Sequence, residues 1–295
     1  MCLEKLFNMI IIRLAGGLGN QMFQYAMGLS LSKRLNQKFK LDTSFLLDRK
    51  PRENFVFRDY DLDIFNLEIN NFEGLINYSP NKFVKNINKF LPNKYKSIFS
   101  ENSFEYQNYF EKISKNNIYL EGYWQSPRYF QSIKNDIINS FKIKVEHDEK
   151  VNELLNEIKS IESVCLNVRR GDFVNNPFHG TMGVDYYTAS IMKLKNMIGE
   201  KFKIFVFSDD IEWCIENLQF TSPVYFVKHE FKGFKFSSYF HLMTNCKHFI
   251  IPNSSFAWWA AYLSPDNNKI IITPQKWFNT DIDTNDLIPD TWIRI

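Results

Sequence analysis

Short apolar runs that alternate with helical patterns fill the second half of the chain, and this alternation limits the folds it can adopt. Each run has three to five residues, which suits a buried strand. Almost wholly apolar strands joined through helices are typical of a parallel sheet covered on both faces. We therefore predict an α/β fold for this half. The runs lie at 164–168, 204–207, 224–227, 249–251 and 270–272, and the helical patterns at 186–197, 211–217, 237–245 and 256–263.

The first half begins with one unit of the same kind. An apolar run at 10–14 precedes a glycine loop and a helical pattern at 20–35. Residues 43–117 alternate poorly and are expected to be irregular with helical patches. Further strands are predicted at 39–42 and 118–120, and a helix at 129–141. The charged stretch at 144–150 separates the halves, which predicts a first domain at 1–147, a second at 148–275, and a tail at 276–295 for which a return to the first domain is one option.

Charge and composition exclude several classes of protein. The 295 residues carry 36 lysines and arginines against 33 aspartates and glutamates, and a net charge of +3 is too balanced for a general nucleic-acid binder. No apolar run approaches the roughly 20 residues of a membrane-spanning helix. The four cysteines show no C-x-x-C pair and no metal-ligand spacing, which predicts reduced, mostly buried thiols in a cytoplasmic protein. They are Cys2, Cys165, Cys214 and Cys246.

Polar residues and glycines follow the strands, where parallel sheets bind their ligands. Glycines let backbone N–H groups approach phosphate oxygens, arginine forks match phosphate geometry, and a carboxylate can accept from the edge of guanine. This set of groups predicts a site for a nucleoside diphosphate. In chain order the groups are Gly16-Gly17-Leu18-Gly19-Asn20, Arg169-Arg170-Gly171-Asp172, Ser208-Asp209-Asp210 and Asn253-Ser254-Ser255.

Each of these groups also has a plain structural interpretation. The glycine loop lacks the third glycine of a dinucleotide fingerprint, since Met22 stands there, and alone it indicates only a tight turn. Asp209 and Asp210 can cap the following helix as well as bind a ligand. The 253–255 cluster likewise suits a helix N-terminus. The two arginines directly after a buried strand favour an anionic ligand most clearly.

Four of these segments together resemble known motifs. Residues 12–26 (IRLAGGLGNQMFQYA) resemble the N-terminal signature of the bacterial, GDP-fucose-dependent, inverting α-1,2-fucosyltransferase family. Residues 168–173 look like that family's His-x-Arg-Arg-Gly-Asp-Tyr motif, and 207–210 and 253–259 are similar to its two later motifs. All four occur in the family's order, from about Met9 to the end of the chain.

The resemblance implies a GT-B fold, with two Rossmann-like domains whose parallel sheets face a cleft and with GDP-fucose held mainly by the second domain. It implies that Arg169 contacts the β-phosphate, that Asp209 binds guanine, and that the Ser254 hydroxyl helps to hold the pyrophosphate. The implied donor-binding residues are Gly17, Gly19, Asn167, Arg169, Arg170, Asp209, Asn253, Ser254, Ser255 and Phe256, and the catalytic candidates are Arg169, Asp172 and Asn20.

The chain departs from the family pattern at two positions. Asn167 stands where the family has a histidine near guanine, and Phe173 replaces a tyrosine, which removes a hydroxyl from acid–base chemistry. The role of Asp172 stays open between a catalytic base and a residue that holds the loop or an arginine.

The implied reaction is the inverting transfer of L-fucose from GDP-β-L-fucose to the 2-hydroxyl of a terminal β-galactoside, in surface polysaccharide or O-antigen synthesis. The acceptor would be an oligosaccharide or a lipid-linked glycan, met in the cytoplasm or at the inner face of the membrane. No metal or cofactor is expected, because arginine supplies the positive charge. The alternative is a non-catalytic protein of the same fold that binds a GDP-sugar or a glycan.

One patch in the first half, residues 81–91, has two interpretations. Phe83, Ile87 and Phe90 share one face of a predicted helix that also carries three lysines. Such a helix can lie in a membrane interface, in weak peripheral contact. Its apolar face can also pack into the first domain, which is the arrangement we expect.

Overall fold

The computed structural model describes residues 9–52, 56–68, 70–92, 95–114 and 117–295. They form two compact units, one ending at Lys142 and one beginning at Ile143. This division falls a few residues before the boundary predicted at 147. Of the predicted tail, Asp283–Ile288 groups with the first unit and Pro289–Ile295 with the second. Asp286 anchors the former segment, because its carboxylate accepts from the Tyr106 N–H at 2.8 Å and pairs with Arg128 at 2.8 Å.

The first unit contains a parallel sheet with the strand order β3-β2-β1-β5-β4. Its longest helix packs on β1 and β2. Position 28 of this helix requires glycine, because a Cβ there would lie 2.6 Å from the side chain of Ile12 and 2.9 Å from that of Phe39. The elements are β1 (Met9–Arg13), α1 (Leu18–Leu35), β2 (Lys38–Asp42), α2 (Ser44–Leu47), β3 (Phe72–Ile76), α3 (Lys82–Phe90), β4 (Ile98–Ser100), β5 (Asn117–Glu121) and α4 (Lys134–Ser140).

The second unit contains a parallel sheet with the order β11-β10-β9-β6-β7-β8. The whole of β6 and nearly all of β7 are buried, as their apolar sequences require. The elements are α5 (Glu149–Ser160), β6 (Ser163–Val168), α6 (Val184–Ile198), β7 (Lys203–Ser208), α7 (Ile211–Asn217), β8 (Val224–Val227), α8 (Ser237–Thr244), β9 (His248–Ile250), α9 (Ser255–Leu263), β10 (Ile271–Thr273) and β11 (Ile293–Arg294).

The α/β fold with parallel sheets is confirmed, and most predicted elements lie within two residues of their predicted bounds. The predicted helix at 129–141 is wrong at its start, where two 3-10 turns precede α4. Sequence reasoning missed β3 and β4, which are edge strands with little or irregular apolar patterning, and β11, which has two residues. It also missed α5, which begins inside the charged stretch because the carboxylate of Asp148 caps it.

Three further predictions can be compared with the structure. Cys165, Cys214 and Cys246 are free and buried, as predicted, and Cys2 lies outside the described residues. The expected packing of the apolar face of α3 into the first domain is wrong, since Phe83, Ile87 and Phe90 are exposed. Among the described residues, no helix has the length and apolarity needed to cross a membrane.

Candidate functional site

Three of the four strands that precede the predicted phosphate-binding residues, β6, β7 and β9, lie side by side in the second sheet. In the second sheet β6 pairs with β9 on one side and with β7 on the other, so the loops after these three strands leave the same edge. Those loops begin with Arg169, Ser208-Asp209 and Ile251 to Asn253. The fold therefore brings the arginine pair, the aspartate pair and the start of α9 to one end of one sheet.

Arg169 is held by two carboxylates and an aromatic ring. Its guanidinium pairs with Asp172 and with Asp209, and the distance from Nη1 to Asp209 Oδ2 is 2.8 Å. The guanidinium also lies 5.3 Å from the centre of the Phe173 ring. The side chain is still partly exposed. Arg169 is thus fixed in direction and accessible, as electrostatic catalysis requires of a preorganised cation.

Arg170 faces a different set of partners. Its Nε lies 3.1 Å from Asp210 Oδ2, and its guanidinium lies over the Trp213 ring at 4.1 Å. Asp210 also caps α7 by accepting from the Trp213 N–H. Asp210 therefore has the capping role that the sequence suggested for one of the pair. Asp209 accepts from the Arg170 N–H at 2.8 Å, and its contact with a ligand stays a prediction.

Gly171 makes this loop possible, and sequence reasoning assigned it no role. A Cβ at Gly171 would lie 2.5 Å from Asp209 Oδ2, the oxygen that pairs with Arg169. Any side chain at this position would displace that carboxylate. The glycine is therefore needed for close approach and not for an unusual backbone angle.

Three of the remaining residues predicted in this unit make supporting contacts within the protein, and two stand at the start of a helix. Asn167 is buried and donates to the Phe207 carbonyl on β7 at 3.0 Å. Asn253 is also buried and donates to the His179 and Trp277 carbonyls. Phe256 packs edge-to-face against Phe240, and Ser254 and Ser255 stand at the start of α9, where Ser254 makes no capping bond with its side chain.

His179 joins the site from the later part of the loop between β6 and α6, a part that the sequence analysis did not single out. Its ring stacks on the Phe173 ring, with 4.4 Å between the ring centres. The same Phe173 ring lies beside the guanidinium of Arg169. Burial is the main cause that lowers the pKa of His179, so the imidazole is neutral at pH 7. Within the described part of the chain, its buried Nδ1 has no hydrogen-bond partner. Only spatial proximity identifies this residue.

The predicted residues of the first unit lie at the start of α1. Gly16 has φ +78°, and a Cβ there would lie 2.3 Å from Asn20 Nδ2, so both backbone and space require glycine. Gly17 is the N-cap of α1, and Gly19 is in its first turn. The side-chain oxygen of Asn20 accepts from Gln125 at 2.7 Å.

Two buried glutamines of α1 hold this glycine loop. Gln21 donates to the carbonyls of Gly16 and Asp59 at 3.0 and 2.7 Å. Gln24 accepts from the Ala15 N–H at 3.0 Å and donates to the Gly122 carbonyl at 2.9 Å. Sequence reasoning assigned them no role, although two glutamines three residues apart in a buried helix were a usable signal.

The chain is similar in sequence to one described family and to several known proteins. The sequence model of the family described as Glycosyl transferase family 11 matches residues 2–295. An alpha-1,2-colitosyltransferase of Escherichia coli is 34% identical, over 98% of this chain and 99% of its own length. The E. coli O-antigen biosynthesis glycosyltransferase WbnK is 31% identical, over 96% and 99%. A Caenorhabditis elegans galactoside 2-alpha-L-fucosyltransferase is 22% identical, over 98% and 80%.

Solved structures share the fold at low identity. The NodZ alpha-1,6-fucosyltransferase, known from Bradyrhizobium and co-crystallised with GDP, has a TM-score of 0.54 at 16% identity, over 88% of this chain and 93% of its own. A mutant of Arabidopsis thaliana FUT1 in complex with GDP has a TM-score of 0.53 at 12% identity, over 92% and 71%. The predicted GT-B fold class is confirmed.

Proposed function

The chain belongs to glycosyl transferase family 11 and is a glycosyltransferase, and from this premise we propose that it transfers L-fucose from GDP-β-L-fucose to the 2-hydroxyl of a terminal β-galactoside. The α-1,2 linkage is supported by the names of the E. coli and C. elegans relatives. The O-antigen role of WbnK supports a surface polysaccharide as the product. The proposed acceptor of this chain is then a β-galactoside-terminated oligosaccharide or lipid-linked glycan.

The observation that carries the proposal is that Arg169 and the start of α9 follow two neighbouring strands, β6 and β9, at one end of the second sheet. A β-linked donor that gives an α product reacts by direct displacement, with negative charge growing on the β-phosphate. A cation already fixed in place stabilises that charge without reorganising during the reaction. The hydroxyls of Ser254 and Ser255, at a helix N-terminus, supply further donors to a diphosphate.

The ion pairs of Arg169 suggest how the donor enters. Asp172 and Asp209 both pair with this guanidinium, so a phosphate oxygen that takes over either contact displaces a carboxylate. We propose that the phosphate replaces Asp209, whose Oδ2 then accepts from the guanine edge. Asp172 keeps Arg169 in position, which makes it a positioning residue in this proposal.

The contacts of Gly17, Gly19 and Asn20 with the phosphate and the fucose stay a prediction from the family resemblance. Within the first unit, the backbone of this glycine loop is fixed by Gln21 and Gln24. The proposed site needs no metal or cofactor, since guanidinium groups and a helix N-terminus provide the positive charge.

A second donor follows from the colitosyltransferase relative at 34% identity. Colitose is fucose without its 3-hydroxyl, so the two GDP-sugars share the diphosphate and the base that the site is proposed to bind. Discrimination then depends on the polar partner of one hydroxyl, which can be decisive in a dry pocket. Comparing kcat/KM for GDP-fucose and GDP-colitose on one acceptor decides between these donors.

The main experiment measures GDP release by the purified chain from GDP-fucose across a panel of β-galactosides, with product linkage assigned by NMR. We expect turnover with at least one terminal β-galactoside and an α-1,2 product. A protein that binds GDP-fucose in calorimetry and releases no GDP with any acceptor, from either donor, would support the non-catalytic alternative.

A further inference from the structure

Helix α3 turns its apolar face outward. Phe83 and Phe90 are 72% and 88% exposed, and Ile87 is 46% exposed, whereas Asn88 is only 7% exposed. At 3.6 residues per turn the three apolar residues fall within an arc of roughly 60°. A surface helix of a globular protein ordinarily buries its apolar stripe and exposes its polar one. The orientation of α3 is the reverse.

Polar contacts on the face opposite the apolar stripe hold α3 to the first unit. The side chain of Asn88 donates to the Ile98 carbonyl at 2.6 Å and accepts from the Ser97 and Ile98 N–H groups at 2.9 and 3.0 Å. Lys85 pairs with Glu121 at 2.5 Å. A cavity of about 230 Å³ lies beside Val84 of the helix. The outward direction of the apolar stripe is therefore built into the attachment of the helix.

The charge of α3 is of one sign. The helix carries Lys82, Lys85 and Lys89 and no acidic residue, and Lys82 and Lys89 are exposed beside the apolar stripe. An exposed apolar stripe with lysines beside it matches a partner surface whose outer layer is anionic and whose interior is apolar. A symmetric contact with a second copy would bring the like-charged lysines together, which disfavours that partner.

We propose that α3 docks on the surface of an anionic lipid bilayer. Phe83, Ile87 and Phe90 enter the boundary between headgroups and acyl chains, and Lys82 and Lys89 contact the lipid phosphates. The proposal goes beyond the sugar transfer and uses none of the residues assigned to it. It places the helix in the plane of the interface and not across the membrane.

The test is co-sedimentation of the full chain with phosphatidylcholine vesicles that contain phosphatidylglycerol, and with phosphatidylcholine alone. We expect binding to the anionic vesicles that weakens as salt is added. The Lys82→Gln/Lys89→Gln variant should bind roughly tenfold to thirtyfold more weakly, since each lysine near an anionic surface contributes about fivefold. The Phe83→Ser/Phe90→Ser variant should lose roughly a hundredfold or more.

Matched controls replace two lysines or two large apolar residues at exposed positions of the second unit. Lys193→Gln/Lys201→Gln and Met192→Ser/Ile215→Ser should bind as the wild type does. Because all the substituted side chains are exposed, circular dichroism should show each variant folded. The proposal is overturned if the wild type does not sediment with anionic vesicles, or if the α3 variants bind like their controls. It is also overturned if sedimentation equilibrium shows a dimer that the Phe83→Ser/Phe90→Ser variant abolishes, because a second copy is then the occupant.

Discussion

At the scale of single residues, Arg169 combines a structural and a proposed catalytic role. Arg169→Ala should lower kcat by roughly 10²–10³, since removing one preorganised donor of this kind costs about 2.7–4 kcal/mol. It should also lower Tm, because Asp172 and Asp209 lose their shared cation. Arg169→Lys should recover more of Tm than of kcat, because an ammonium cannot reproduce a two-pronged contact with phosphate. Kinetics and thermal melting on the same samples separate the two effects.

Arg170 provides the comparison for that experiment. Its guanidinium contacts Asp210 and Trp213 at the start of α7, so Arg170→Ala should affect Tm and have a smaller effect on kcat. A folded Arg169→Ala enzyme with a kcat near that of the wild type, or equal losses of kcat in both variants, would contradict the mechanism proposed for Arg169.

A second prediction at this scale concerns Gly171. Gly171→Ala should displace the carboxylate of Asp209 and weaken GDP binding roughly tenfold to hundredfold, the equivalent of one charged hydrogen bond of about 1.5–3 kcal/mol. Calorimetric titration with GDP measures the change. Gly183→Ala is the matched control, because an added Cβ there meets no atom within 4 Å. Equal GDP affinity in the two variants would rule out the assigned role.

At the scale of elements, the attachment of α3 depends on Asn88. Asn88→Ala should lower the free energy of unfolding by about 2–3 kcal/mol, because it leaves buried backbone groups of Ser97 and Ile98 without their partners. Asn86→Ala, an exposed change on the same helix, should be nearly neutral. Urea denaturation measures both. If the two variants unfold at the same urea concentration, Asn88 does not hold the helix.

The contact between α8 and the segment before α5 should be sensitive to acid. His147 and His241 lie within hydrogen-bond distance, and burial lowers the pKa of both, that of His241 to about 4. The unfolded chain, with a histidine pKa near 6.5, then binds protons that the folded chain does not. The contribution of these two neutral histidines to the free energy of unfolding is complete above pH 6.5 and is lost as the pH falls towards 4.

Thermal melting between pH 7 and pH 4 tests this dependence. The wild type should lose Tm more steeply over that range than a His241→Gln variant, which has no proton to take up at this position. His229→Gln serves as the control in the same unit. Parallel Tm curves for the wild type and His241→Gln would show that the pair does not contribute.

At the scale of the whole molecule, the enzyme should act without a divalent metal. The sequence contains D-x-D triplets at Asp61 and at Asp281, a pattern that metal-dependent glycosyltransferases use, but the arginines and the N-terminus of α9 already supply positive charge. We expect kcat to be unchanged in EDTA and not to rise with added Mg²⁺ or Mn²⁺. Activity that disappears in EDTA and returns with Mg²⁺ would refute the proposed charge balance.

The sequence by itself determined the parallel α/β architecture, because buried strands between helices must be apolar along their whole length. It also determined which loops carry polar groups, since the residues directly after a strand end can be read from the sequence. It failed at β3, β4 and β11, where short or half-exposed edge strands bury too little apolar surface to leave a pattern. It failed as well at α3, where burial is decided by three hydrogen bonds of Asn88 and not by the apolar stripe.

Only the tertiary structure decided how the polar groups pair. Sequence spacing cannot distinguish Asp209 from Asp210, because the difference lies in their contacts. Asp209 accepts from the Arg170 N–H and pairs with Arg169, whereas Asp210 pairs with the Arg170 side chain and caps α7. The need for glycine at position 171 arises from a contact between the loops after β6 and β7, and the stacking of His179 on Phe173 arises within the loop between β6 and α6. Side-chain pairing across a sheet depends on strand order and register, and the spacing of residues along the chain does not contain that information.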